Sequence, residues 1–446
     1  MDCNIFFLPL QSQTIKRSVR ITVSTQDSQS CNRGSIPLPT TRETPKESLF
    51  LCICIMRKVV IAPDSFKGSL SSLEAAYAAA AGVRAVFPEC ETICLETADG
   101  GEGTASALTK ALKGQMTEAI VSDPLGRKIT AAYGIAEISG RKTAVMEMSQ
   151  ASGLTLLDPE ERNPLLTSTY GTGEMILDAL HKGCRRFLIG IGGSATNDAG
   201  TGMLEALGFS FFDKDGQKTT CLCGGLVSRI SKIEPPAHMK ELAESEFIVA
   251  CDVETPFCGP EGAAAVFGPQ KGATPETVVL LEAGMQSLNN VISRDFGTDL
   301  SEIKGSGAAG GLGGAFQAFL GASLQSGIDM VLEAIGFEEA IQGADLIITG
   351  EGKMDIQTAR GKVISGITST AQRHGIPVMA IAGIMDMTET EIRDLGISAA
   401  YPICPRPEDR SGLEHAMRPE TASKNITATV ARALESLSPS SFRANL

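Results

Sequence analysis

The stretch that most constrains how this chain can fold is Ile189-Gly190-Ile191-Gly192-Gly193-Ser194-Ala195-Thr196-Asn197-Asp198. It follows a short apolar run and opens onto Met203-Leu204-Glu205-Ala206-Leu207, so it reads as strand, glycine loop, helix. Gly190, Gly192 and Gly193 permit positive φ and carry no Cβ, which lets successive N–H groups converge on an anion at the positive end of a helix. Ser194 and Thr196 add hydroxyl donors. Asn197 and Asp198 offer a helix cap, a metal ligand, or an acceptor for the proton of an attacking hydroxyl. The plainer alternative is a tight strand-to-helix turn capped by Asn197 or Asp198.

Known nucleotide motifs mostly fail to match. No Gly-Lys-Ser/Thr triplet closes the loop as in a Walker A motif, and no His-Arg-Asp segment occurs anywhere. Gly190-x-Gly192-x-x-Ala195 does match the dinucleotide fingerprint, and Asp213 follows roughly 20 residues on, where a ribose-binding acid would sit. An NAD-dependent dehydrogenase therefore stays open. Against it, Thr196-Asn197-Asp198 puts three polar groups where a Rossmann helix packs small apolar residues on its sheet. Gly305-Ser306-Gly307-Ala308-Ala309-Gly310 matches the same fingerprint, so the fingerprint is a weak guide to nicotinamide.

The same grammar recurs along the chain. Lys58 to Pro63 reads as a buried strand and Leu73 to Phe87 as a helix, with Asp64-Ser65-Phe66-Lys67-Gly68-Ser69 between them. Thr92 to Leu95 is followed by Asp99-Gly100-Gly101-Glu102-Gly103-Thr104 and a helix over Ala105 to Leu112. Two carboxylates among three glycines repel unless a cation intervenes, which points to Mg²⁺. Asp252 and Glu351 also end apolar runs, and Asp355 follows Glu351 closely. Asp64, Asp99, Asp252 and Glu351 would thus line one edge of a parallel sheet, where α/β proteins bind ligands. Lys271, in Phe267-Gly268-Pro269-Gln270-Lys271-Gly272, and Arg360, in Gln357-Thr358-Ala359-Arg360-Gly361-Lys362, supply cations. Gly310 and Gly311 belong to a further glycine loop. None of the four histidines falls in these loops, so base chemistry falls to a carboxylate.

Composition narrows the function classes. A formal net charge of -13 argues against binding nucleic acid or an anionic membrane nonspecifically. The absence of Trp, with 5% aromatic residues, argues against a stacking platform for single strands. The 12 cysteines are scattered without zinc spacing and read as reduced thiols. The longest apolar run, Leu49 to Met56, is far shorter than the ~20 residues of a bilayer span. A cytoplasmic protein acting on a small molecule is expected, as a monomer or a homodimer. Residues 1–55 are rich in Ser, Thr and Gln without sustained period, and are expected to form a disordered extension outside the fold. Met116 to Gly140 suggests a hairpin around Asp123-Pro124-Leu125-Gly126, with a further strand over Lys142 to Met148.

Taken together, Asp64-Ser-Phe-Lys-Gly-Ser69, Ala98-Asp-Gly-Gly-Glu-Gly-Thr104, Tyr170-Gly-Thr-Gly173, Gly190-Ile-Gly-Gly-Ser-Ala-Thr-Asn-Asp198, Phe267-Gly-Pro-Gln-Lys-Gly272 and Ile348-Thr-Gly-Glu-Gly352 resemble the glycerate kinase family of the bacterial glycerate 2-kinase type. The likeness runs in order from about Met56 to Ile426. It departs at Ala199, where glycine is usual, at Thr255, where Asn usually precedes Pro256, and at Lys353-Met354-Asp355-Ile356, which replaces Arg-Ile-Asp-Ser.

The resemblance implies a two-domain α/β fold. A discontinuous Rossmann-like parallel-sheet domain, over 56–120 and 290–435, is interrupted by a second α/β domain over 121–289, and 436–446 form a tail. It further implies ATP-dependent phosphorylation of D-glycerate to 2-phospho-D-glycerate, with Mg²⁺ as metal. On that basis Lys67, Asp198 and Asp252 are the candidate catalytic residues. Asp64, Ser65, Gly192, Gly193, Ser194, Thr196, Asn197, Lys271, Gly310, Gly311 and Arg360 would bind substrate or phosphate. Asp99, Glu102, Glu351 and Asp355 would hold the metal. The residues themselves do not rank Asp198 against Asp252, nor say which glycine loop holds the nucleotide. Phosphorylation at C3 and a nucleotide-dependent binding protein stay open as alternatives.

Overall fold

The computed structural model describes residues 6–7, 56–97, 103–237, 240–355, 358, 363–404 and 414–436. Two six-stranded sheets organise it, with a small three-stranded sheet beside the second.

The first sheet takes strands from both ends of the chain. Glu91–Cys94, Lys58–Ile61, Leu346–Met354, Val378–Met385 and Ala399–Pro402 lie side by side and parallel, and Phe6–Phe7 adds an antiparallel edge. Within the expected N-terminal extension, this two-residue pairing is what the structure describes. Strands covered on both faces read as near-continuous apolar runs. Val59 and Ile61 accordingly pack on one side with helices Ser72–Val86 and Pro419–Ser436, and Val60 and Ala62 on the other with helix Val363–His374. Ser71 starts the first of these helices with a capping box to Glu74.

In the second sheet, Ser323–Gln325, Glu246–Ala250, Arg186–Gly190 and Arg141–Glu147 are parallel, and Lys128–Ile138 and Gln115–Ser122 extend it antiparallel. The last two form the hairpin that the sequence pattern predicts. Asp123 closes it by accepting the N–H groups of Leu125 and Arg127 at 2.9 and 2.8 Å. Phe187, Ile189, Phe247 and Val249 face a large core that also takes in helices Pro275–Phe296 and Ala308–Leu320. Leu188 and Ile248 face the opposite side, where Thr104–Ala111 and Gly327–Ala334 pack. The second sheet therefore draws its strands from 115–325, and the chain returns to the first sheet after Gln325 rather than near 290.

The small sheet settles one sequence alternative. Ser210–Phe212 and Lys218–Thr219 form a hairpin in which Asp213 accepts the N–H groups of Asp215 and Gln217 at 2.9 and 2.8 Å. Asp213 is thus a turn residue. The glycine loop after Gly190 reaches a helix only at Thr201, and that helix, Thr201–Ala206, has six residues. A dinucleotide fingerprint needs the loop to open directly into its helix, so the match does not carry a nicotinamide site.

Every cysteine among the described residues is a free thiol, and no described helix is long and apolar enough to cross a membrane.

Candidate active site

The carboxyl edges of the two sheets each carry a cleft. The first, about 390 Å³, is lined by Asp64, Lys67, Glu351 and Asp355, with apolar walls that include Phe66, Ile403 and Met417. Asp64 follows the strand Lys58–Ile61, and its N–H donates to the Gly350 carbonyl at 2.7 Å, which ties this loop to the strand Leu346–Met354. Its carboxylate accepts the Ser65 N–H at 2.6 Å. Glu351 is buried within the strand Leu346–Met354 and accepts the Thr358 hydroxyl. Asp355 pairs with Lys353 at 2.8 Å. The cleft therefore combines oxygen ligands with an apolar wall.

The second cleft, about 410 Å³, is lined by Gly192, Gly193, Ser194, Asp252, Lys271 and Ala309, among others. Glu147, Gly190 and Ala250 stand in register on adjacent strands, so the glycine loop and Asp252 leave the sheet at the same level. Asp252 is exposed, and its carboxylate accepts the Gly327 N–H at 2.9 Å. Lys271 is only 1% exposed, and its ammonium donates to the Thr196 carbonyl at 2.6 Å. Ala309, Gly310 and Gly311 all adopt left-handed conformations, with φ of 52°, 69° and 91°. A Cβ on Gly310 would lie 2.1 Å from the Thr196 carbonyl oxygen, so this second glycine loop presses directly against the first.

Burial pushes the Lys271 amine down from its ordinary 10.5 to about 7, with the nearby Asp198 pulling the other way. Between those values the unfolded chain holds the proton and the folded chain releases it, so raising the pH through that window favours the folded state. Below about 7 both states are protonated and the full cost of burying the cation is present. Urea melts at about pH 7 and about pH 10 should show the parent gaining more stability with pH than Lys271→Met, whose side chain has no charge to bury. Equal gains would place the amine in water.

The structure separates the expected site residues. Asp64, Ser65, Lys67, Glu351 and Asp355 gather at the first cleft; Gly192, Gly193, Ser194, Asp252 and Lys271 gather at the second. Lys67 and Asp252 are thus not in one cavity. Asp198 lies behind the second cleft and fully buried, not in its lining. Its carboxylate accepts the Thr169 N–H and hydroxyl at 2.7 and 2.8 Å and the N–H groups of Gly200 and Gly202, both at 3.2 Å. Burial raises its pKa while these four bonds oppose the shift. They engage both oxygens and tie two loops together, which is the work of a structural acceptor. Thr196 and Asn197 are also buried there, and neither the Thr196 hydroxyl nor the Asn197 amide has a partner. Asp99, Glu102 and Arg360 lie outside the described residues.

Two features carried no signal in the sequence. Glu147 is buried at the end of its strand and accepts the Ala105 N–H at 2.9 Å, holding the start of helix Thr104–Ala111. A lone acid at the end of an apolar run looks solvated unless its cover is known. Ile403 and Met417 come from segments without any motif, and apolar residues in a C-terminal region read as core.

Residues 59–438 match the model of the glycerate kinase family. A glycerate kinase of Bacillus subtilis is 43% identical over 375 residues, covering 84% of this chain and 97% of that protein. A glycerate 2-kinase of Escherichia coli K12 is 41% identical over 379 residues, covering 84% and 98%. A crystal structure assigned as glycerate kinase 2 of Salmonella typhimurium LT2 superposes with a TM-score of 0.73 at 39% identity, covering 88% of this chain and all of that one. With these matches spanning both sheets and both clefts, the chain belongs to the glycerate kinase family.

Proposed function

We propose that this protein transfers the terminal phosphoryl group of ATP to the C2 hydroxyl of D-glycerate, releasing ADP and 2-phospho-D-glycerate. The observation that carries this reading is the second cleft. A glycine loop, a buried lysine and a strand-end carboxylate meet in a space suited to a small anion. Phosphoryl transfer asks a protein mainly to position reactants and neutralise charge. The Gly192 and Gly193 N–H groups, the Ser194 hydroxyl and Lys271 receive the glycerate carboxylate and the transferred phosphoryl group. The unpartnered Thr196 hydroxyl and Asn197 amide add polar capacity behind them. Asp252 accepts the proton of the attacking hydroxyl.

The first cleft takes the nucleotide. Its apolar wall suits a base, and Lys67 suits the phosphates. Among the described residues no group of three or more His, Cys, Asp or Glu side chains stands close enough to hold a metal ion. Mg²⁺ bound to a nucleotide needs only one or two carboxylates, the rest of its shell being phosphate oxygens and water, so any one or two of Asp64, Glu351 and Asp355 would fit in chemistry and number. Bound there, the ion would neutralise phosphate charge. The net charge of -13 further favours a small anion met by local cations over a nucleic acid.

Carboxylate capture explains the choice of C2. The primary C3 hydroxyl is easier to phosphorylate in solution, but C2 adjoins the carboxylate, so fixing the carboxylate fixes C2 and positioning overrides the bias. D-glycerate added with Mg·ATP should release ADP continuously, and the product should yield phosphoenolpyruvate with enolase alone. Conversion that requires phosphoglycerate mutase would place the phosphate on C3. A change in nicotinamide absorbance without ADP release would restore the dehydrogenase.

A further inference from the structure

The helix Gly327–Ala334 belongs to both halves of the molecule. Ile328 and Leu332, one turn apart, pack with Val60, Ile347 and Val363 beneath the first sheet. Met330, Val331 and Ala334 pack with Val145, Leu188 and Ile248 beneath the second. These are two stripes on one short helix, so neither sheet can shift without moving it. Near its carboxyl end, Glu333 binds Arg186 at 2.5 Å and Gln325 at 3.3 Å, both on second-sheet strands. At its amino end, the Gly327 N–H donates to Asp252 at 2.9 Å. The seat of the helix therefore sets the donor that orients the Asp252 carboxylate.

On the first-sheet side that seat has no slack. A Cβ built on Gly366, in the helix Val363–His374, would stand 2.6 Å from Ile328 Cγ1 and 3.0 Å from Cγ2. Both atoms branch from the Ile328 Cβ, and a β-branched side chain in a helix has one strongly preferred rotamer. An added methyl must push the helix itself. Neither Gly366 nor Ile328 lines either cleft.

We infer that Ile328 and Gly366 are positioning residues for the reaction: their close approach seats the bridging helix, and through the Gly327 N–H it aims Asp252. The inference rests on the reading of Asp252 as proton acceptor, which Asp252→Asn tests separately. Gly366→Ala should lower kcat about tenfold while KM for glycerate stays within about twofold, because a displaced acceptor costs chemistry rather than binding. Gly366→Ala combined with Ile328→Ala makes room for the new methyl and should return kcat to within about threefold of the parent. A Gly366→Ala protein that melts normally with parental kcat overturns the inference, as does a kcat loss that persists in the double variant. If Gly366→Ala does not fold, Ile328→Leu reshapes the same contact at constant volume and should lower kcat about threefold at unchanged KM; parental kcat there overturns it equally. Parental turnover in Asp252→Asn would instead remove the reading beneath it.

Discussion

Asp252→Asn should lower kcat by about 100-fold or more while KM for glycerate changes little. The amide keeps an oxygen able to accept the Gly327 N–H that the carboxylate accepts at 2.9 Å, so the fold and its anchoring survive. What disappears is the capacity to take a proton from the attacking hydroxyl. Asp198→Asn should behave differently. Three of its four donors meet one carboxylate oxygen and the Gly200 N–H meets the other, so an amide must turn an NH₂ toward at least one N–H. A buried donor facing a donor costs about 1–3 kcal/mol, and the urea midpoint should fall. Steady-state kinetics and urea melts on both variants separate the roles. Parental turnover in Asp252→Asn would remove the carboxylate from the chemistry.

The second large effect is expected at Gly310. An alanine there meets two penalties together. With φ of +69° the residue sits in the left-handed region, and its Cβ would stand 2.1 Å from the Thr196 carbonyl oxygen and 2.6 Å from the Asn197 Cα. The first penalty costs about 1–2 kcal/mol, and forcing backbone apart in a packed interior about 1–3 more. Gly310→Ala should therefore lose roughly 2–5 kcal/mol of stability and most of its activity, because the segment it displaces continues from the loop Gly192–Ser194. Gly192→Ala is the control. Nothing stands within 4 Å of a Cβ at that position and its φ lies outside the left-handed region, so its melting point should match the parent. Matching melts for both variants would show that the two glycine loops do not press on each other.

Ala199 shows the same constraint from the other side. It has φ of +55° and its N–H donates to the Gly310 carbonyl at 2.9 Å, so the residue that departs from the usual family glycine is one that a glycine would suit conformationally. Its buried methyl packs in the large core, which offsets part of that cost.

Much of this was legible in the amino-acid order, because local physics dominates at those places. Val59 to Ala62 is apolar at successive positions and must be covered on both faces. Leu73 to Phe87 announces a helix, and Asp123-Pro124-Leu125-Gly126 announces a hairpin. Acids and glycines at strand exits place ligand chemistry at sheet edges, since the geometry of a βα turn is set within a few residues. The motifs in register also carried the family.

Only the tertiary structure decided how those edges are shared out. Asp64 and Asp252 follow equivalent apolar runs, yet they end in different clefts, because strand order across a sheet depends on pairings between residues far apart in the chain. Asp198 and Asp252 are both acids after strand-and-loop segments. One is closed in by Thr169, Gly200 and Gly202, and the other stands at a cleft, and burial of that kind is set by what packs above a loop. Ser323–Gln325 is three residues long, too short for any period to assign, and its partner Glu246–Ala250 places it in the second sheet. The helix Gly327–Ala334 carries apolar residues on two faces, which a sequence reads as ordinary burial; that one face belongs to each sheet follows only from where the sheets stand.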